Sequence, residues 1–109
     1  MEDYFLLFRR FIAGRHPVNK ITDVVEKANF LQFLVVNPGT EKLITVHYRD
    51  ADSPVDDLSK ERPMYHHYYL QFEMDNYPEG GRFISIVEWK WYRTEEDVLN
   101  RVKTLIQRY

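Results

Sequence analysis

An α+β fold in one domain, residues 1–109, is what this sequence predicts: two N-terminal helices, a four-stranded antiparallel sheet of two hairpins, and a C-terminal helix packed on the sheet. Three observations lead there. Apolar residues recur at helical spacing near both ends. Apolar and polar residues alternate through much of the middle. Pro and Gly sit where hairpin chemistry needs them.

The first helix is expected over Asp3 to about Ala13. Tyr4, Phe5, Leu7, Phe8, Phe11 and Ile12 make one wide apolar face. Asp3 is a cap, and Gly14 with Pro17 ends the helix. A second helix is expected over Val18–Ala28, with Val18, Ile21, Val24, Val25 and Ala28 on one face. Its Val, Ile and Thr content also suits a strand.

From Phe30 the period changes. Phe30–Val36 and Lys42–Arg49 flank Asn37-Pro38-Gly39-Thr40, where Pro presets φ and Gly accepts a positive φ. A long acidic loop follows over 50–63, with Asp50, Asp52, Asp56 and Asp57. The second hairpin pairs Tyr65–Asp75 with Arg82–Tyr92 across Asn76–Gly81. On its first strand His66, Tyr68, Leu70, Phe72 and Met74 share a face, opposite Tyr65, His67, Tyr69, Gln71, Glu73 and Asp75. On its second strand the alternation slips at Val87. Either both faces are covered or a bulge there re-aims the strand. The last helix starts at Thr94-Glu95-Glu96-Asp97 and carries Val98, Leu99, Val102, Leu105 and Ile106 as its stripe.

Composition narrows the chemistry. With no Cys there is no disulfide scaffold, Cys-ligated zinc site or thiol nucleophile. A net charge of −2 argues against a general polyanion binder. The acidic Met1-Glu2-Asp3 start and the absence of a long apolar run predict an intracellular, cytoplasmic protein with no membrane association. The phosphate-binding GxxxxGK[ST] and GxGxxG patterns and the GxSxG elbow are absent. No cofactor is expected. The acidic loop lacks the central Gly and the closing Glu of a calcium loop.

Three groups of residues remain as candidates. Tyr65, His67, Tyr69, Trp89, Trp91 and Arg93 should share the outward face of the second hairpin. Tyr, Trp and Arg dominate binding hot spots, although the same rings also serve as core. His47, His67 and Glu73 are conceivable ligands of a hydrolytic metal in a nuclease or toxin–antitoxin component; His66 points away from His67 and cannot join them. Arg9, Arg10, Arg15, His16 and Lys20 form a basic cluster that would suit a nucleic-acid-binding protein, or simply a solvated helix face.

The segments Tyr68-Tyr69-Leu70-Gln71-Phe72-Glu73-Met74-Asp75-Asn76-Tyr77 and Phe83-Ile84-Ser85-Ile86-Val87-Glu88-Trp89-Lys90-Trp91 resemble the C-terminal hairpin of a small protein family of crenarchaeal viruses. That family includes the type I-D anti-CRISPR protein. The likeness spans about a quarter of the chain. It implies an αα-plus-antiparallel-sheet fold, often dimeric, that binds the large subunit of a host CRISPR effector without chemistry of its own. The leading expectation is therefore a non-enzymatic interaction protein, a viral or mobile-element inhibitor of a host defence complex. A homodimer is also expected, because a long edge strand or an uncovered aromatic face finds a partner.

Overall fold

The computed structural model describes residues 3–50, 62–76 and 83–109. Its element order is α1 (Leu6–Ala13), β1 (Lys20–Glu26), β2 (Phe30–Asn37), β3 (Thr40–Tyr48), β4 (Tyr68–Asn76), β5 (Phe83–Tyr92) and α2 (Glu95–Arg108). The strands form one five-stranded antiparallel sheet in the order β1-β2-β3-β4-β5. The α+β class and the antiparallel sheet are as expected, but the inventory is corrected. The described residues form one N-terminal helix, not two, and five strands, not four.

The correction has a local cause. Residues 20–26 pair with β2 as an edge strand, and the register shifts between Thr22 and Val25. Asp23 sits there at φ 54°, a left-handed conformation that Asp tolerates better than most residues. The bulge puts Thr22 opposite Leu34 and Val25 opposite Gln32. Two residues three apart thus share a face. A bulged strand therefore imitates the spacing of an amphipathic helix.

The first hairpin follows its turn chemistry. Asn37 pairs with Thr40, and Gly39 between them takes φ 85°. β2 then alternates cleanly. Leu31, Phe33 and Val35 are buried, while Gln32, Leu34 and Val36 are half-buried on the other side. Ile44 and Val46 of β3 and Tyr68, Leu70 and Phe72 of β4 continue the buried row. Both helices close over it. Phe5, just before α1, and Phe8 within it join Val98, Leu99, Val102, Leu105 and Ile106 of α2 in the same core. Phe8 packs against Phe33 at 6.4 Å and Phe5 meets Tyr68 edge-on at 6.3 Å.

The expected cap of α2 is present: the Thr94 hydroxyl accepts the Asp97 N–H at 3.1 Å. α1 begins later than expected and has no side-chain cap of its own. Asp3 instead accepts the Phe5 N–H at 3.2 Å. Glu95, from the first turn of α2, accepts the Phe8 N–H at 2.9 Å. One carboxylate thus serves the positive ends of both helices and ties them together. Burial pushes the Glu95 carboxyl above its ordinary value.

Two features generate expectations for stability. Gly39 has open space around its α-carbon, so a methyl group there meets nothing, and only the backbone conformation opposes it. Gly39→Ala is expected to cost about 1–2 kcal/mol in chemical denaturation, the left-handed penalty of an L-residue. Lys42 lies on the helix side of β3, between Val35 and Met74, fully buried and with no partner for its ammonium group among the described residues. Desolvation lowers its pKa below the ordinary 10.5. The folded chain therefore binds this proton less tightly than the unfolded chain, and stability rises with pH from the lowered value up to 10.5. Lys42→Met should stabilise the neutral-pH protein by about 1–3 kcal/mol, the cost of an unsatisfied buried polar group. The gain should shrink as pH approaches the ordinary lysine value, and urea melts across that range check it.

Candidate functional site: the open sheet face and the β5 edge

Because alternate residues of a strand face opposite sides, one face of this sheet carries the helices and the other does not. Among the described residues neither helix lies on the second face. Its rows are Leu34 and Gln32 of β2, Leu43, Thr45 and His47 of β3, Tyr69, Gln71 and Glu73 of β4, and the matching residues of β5. Polar pairs bind its middle across strands: Gln32 donates to Thr45 at 3.0 Å, and His47 and Gln71 meet at 2.8 Å.

β5 decides what this face displays. Phe72 pairs with Glu88 and Glu73 pairs with Ile86, so Val87 is left out of the ladder. This is the bulge that the slipped alternation suggested. Val87 turns toward the core, and Ile84 and Ile86 move to the same face as Trp89 and Trp91. Ile84 is 65% exposed, Ile86 58% and Trp89 47%. Large apolar side chains in a row on an uncovered face are unusual for a monomer and mark interaction surfaces.

Not all the sequence-predicted contact residues are available. Tyr69 and Trp91 are buried, their rings 4.9 Å apart. The Arg62 guanidinium lies over the Trp91 ring, 5.0 Å from its centroid. Arg62 is itself held by donation to the carbonyls of His66 and Arg49, both at 2.8 Å, and lies 3.1 Å from His67 Nδ1. Tyr65 is exposed but sits in a turn at φ 64°, ahead of β4. Arg93 is exposed just after β5. The six residues therefore divide: Trp89, Tyr65 and Arg93 face solvent, Tyr69 and Trp91 are packed, and His67 is held against the Arg49 carbonyl at 3.0 Å. Ile84, Ile86 and Arg62 were not anticipated. The slip at Val87 was the available signal for the two isoleucines, whereas nothing in the local sequence links Arg62 to Trp91.

The metal trio does not assemble. His47 pairs with Tyr69, while Glu73 pairs with Leu43. His67 and Glu73 are six residues apart on one extended segment, ~20 Å at the rise of a strand. No group of three or more His, Asp or Glu side chains among the described residues stands close enough to hold a metal ion. Most of the acidic loop lies outside the described residues, including Asp52, Asp56 and Asp57, as does the turn 77–82. In the basic cluster Arg9 is committed to ion pairs with Asp3 and, at 3.0 Å, with Glu26. His16 meets the Phe11 carbonyl at 2.7 Å, and Arg10, Arg15 and Lys20 are exposed.

On the other side of β5, a cleft of about 500 Å³ runs between that strand and α2. Lys90, Tyr92, Arg93 and Arg101 line it together with Asp97, Asn100 and Thr104. Arg101 grips Glu88 through two nitrogens, at 2.9 and 3.1 Å to Oε1, and the Tyr92 hydroxyl donates to the same carboxylate. Burial alone would raise the Glu88 pKa, but these bonds outweigh it and hold the carboxyl below its ordinary value. A second hollow, of about 180 Å³, lies at the far end of the open face, with Leu34, Leu43 and Ile84 among Glu41, Glu73 and Asp75. No helix among the described residues is long and apolar enough to cross a membrane.

No known family model, curated protein or solved structure matches this chain. Its class rests on its own geometry: an antiparallel sheet with helices on one face and an apolar edge strand displayed on the other.

The Glu88–Arg101 pair predicts an acid response. Because the folded Glu88 pKa is depressed, the stabilisation is complete above the ordinary Glu value of 4.5 and is lost as pH falls through the lowered one. Arg101→Ala should cost about 1.5–3 kcal/mol at neutral pH, the range for hydrogen bonds to a charged group. It should also remove that acid-side loss, which urea melts at a series of pH values will reveal.

Proposed function

We propose that the chain is a small non-enzymatic interaction module, and that a protein partner docks on the open sheet face along β5. The observation that carries this reading is the exposed row Ile84, Ile86 and Trp89 on the face without helices. Burying such a row on a partner is favourable at roughly 25 cal/mol per Å² of apolar area, whereas leaving it in water is a standing aggregation hazard. Tyr65, exposed in the turn ahead of β4, adds a residue type common at hot spots. Rigid strands present it, so little ordering cost falls on binding.

The partner we propose is a subunit of a host defence complex, such as a CRISPR effector, met in the host cytoplasm by a viral or mobile-element inhibitor. The resemblance of the β4–β5 segments to the crenarchaeal-virus family supports this finer reading. A homodimer belongs to the same proposal, because a second copy can cover the same apolar row when no partner is present. Sedimentation equilibrium at micromolar concentration reports it.

The test is co-migration of the purified protein with a panel of purified CRISPR effector complexes in size-exclusion chromatography. One complex should retain the wild type. Ile86→Asp and Trp89→Asp should each weaken that binding by about 2 kcal/mol or more, the scale of a hot spot, with circular dichroism unchanged. Migration apart from every complex would overturn the inhibitor reading.

A further inference from the structure

We infer that the free edge of β5 accepts an extended segment of a partner protein, and that this segment alternates acidic and apolar residues. The inference rests on the interaction-module reading above and specifies the chemistry of its partner. Three independent observations support it.

The first is the edge. β5 is ten residues long, pairs with β4 on one side, and among the described residues has no strand on its other side. Such an edge presents a row of backbone donors and acceptors ready to pair with an incoming strand. Edges that avoid pairing are usually short, carry Pro or are bulged and charged. β1, the opposite edge, is shorter, at seven residues, and bulged at Asp23, with Lys20, Asp23 and Glu26 exposed beside Val24 and Val25. β5 has a bulge at Val87 but no Pro, and its exposed side chains include Ile84, Ile86 and Trp89.

The second is the charge beside the edge on the helix side. Lys90, Arg93 and Arg101 meet there in the cleft against α2, with Asp97 as the one acid of the lining. Glu88 neutralises Arg101, and the Lys90 ammonium stands 5.5 Å from the Tyr92 ring. Asp97, Asn100, Arg101 and Thr104 follow one face of α2, so the cleft has a polar wall facing the strand. Lys90 and Arg93 are left with positive charge and no ion pair among the described residues.

The third is the opposite character of the other side. On the open face the same edge offers Ile84, Ile86 and Trp89. An added strand projects alternate side chains to the two sides of the sheet. Its first row then lies in the cationic cleft, and its second row lies against the isoleucines and Trp89. Acidic residues suit the first and apolar residues the second. A segment with the same composition but no alternation satisfies neither side, because one row is then mismatched on each face.

Both tryptophans of the chain lie on β5, so intrinsic fluorescence reports on this edge directly. The experiment titrates the full chain with the peptide acetyl-Glu-Val-Asp-Ile-Glu-Val-Asp-amide. Its controls are a block-ordered peptide of the same composition, the same peptide with Lys for each acid, and one with Pro at its centre. Saturable binding of the alternating acidic peptide is expected, with affinity reduced about tenfold or more for each control. The Lys90→Glu, Arg93→Glu double variant should lose about tenfold or more and should favour the Lys peptide, because like charges then oppose the acidic one. Both residues are exposed, so circular dichroism should be unchanged.

Equal affinity for acidic, basic and block peptides, or no saturable change, would overturn the inference. The interaction-module reading fails separately. An effector complex that binds through Ile86 and Trp89 while the peptide does not bind leaves that reading standing and removes this one.

Discussion

The burial of one sheet face beneath both helices is the constraint on which the rest of this structure depends. Leu31, Phe33 and Val35 of β2, Ile44 and Val46 of β3, and Leu70 and Phe72 of β4 form a continuous apolar row. Phe8 and the α2 stripe close over it. Once that row is committed, strand geometry assigns every neighbouring residue to the opposite face. A slip of one residue would exchange the two faces, so the core fixes the register, and the register determines what the protein displays. Glu95 adds a second tie, because it bonds the start of α1 from the first turn of α2.

Two bulges modify this plan, with opposite consequences. At Asp23 the bulge bends the β1 edge, where the chain is charged and exposed. At Val87 the bulge turns that residue inward and sends Ile84 and Ile86 outward, to the face of Trp89. Without it, those isoleucines would lie on the face that carries Glu88 and Lys90. The apolar display on β5 therefore results from a single extra residue in the ladder. Bulges are frequent where a strand must re-aim side chains toward a function.

The aromatic residues divide along the same line. Phe5, Phe8, Phe33 and Phe72 are core. Tyr4 and Tyr48 stack with ring centroids 3.6 Å apart, and the Tyr68 hydroxyl donates to the Tyr4 carbonyl at 2.7 Å. These tyrosines pin the start of the chain to the middle of the sheet. Tyr69 and Trp91 form a buried pair on the open face, with Arg62 over the Trp91 ring, while Trp89 stays exposed. The two tryptophans of β5 thus differ: Trp91 is packed against Tyr69 and Arg62, whereas Trp89 is exposed.

Local chemistry was legible where it is self-contained. Thr94 caps α2, Pro38-Gly39 turns the first hairpin, the apolar stripes of α1 and α2 face the core, and the β4 alternation separates Tyr68, Leu70 and Phe72 from Tyr69 and Gln71. The second expected helix failed because a bulged strand and a helix can share the same apolar spacing, and only pairing with β2 distinguishes them. The site was half legible for a related reason. Residue types along β5 suggested a contact surface, and the slipped alternation left two arrangements open. Whether Trp91 is covered depends on Arg62, twenty-nine positions away in the chain. Whether His47, His67 and Glu73 converge depends on ladder register. Sequence by itself determined the α+β class, the α2 cap and the first turn, because those depend on neighbours within a few residues. Only the tertiary structure decided the strand count, the face of each β5 side chain and the exposure of Trp89, because these depend on which distant segments pair and cover.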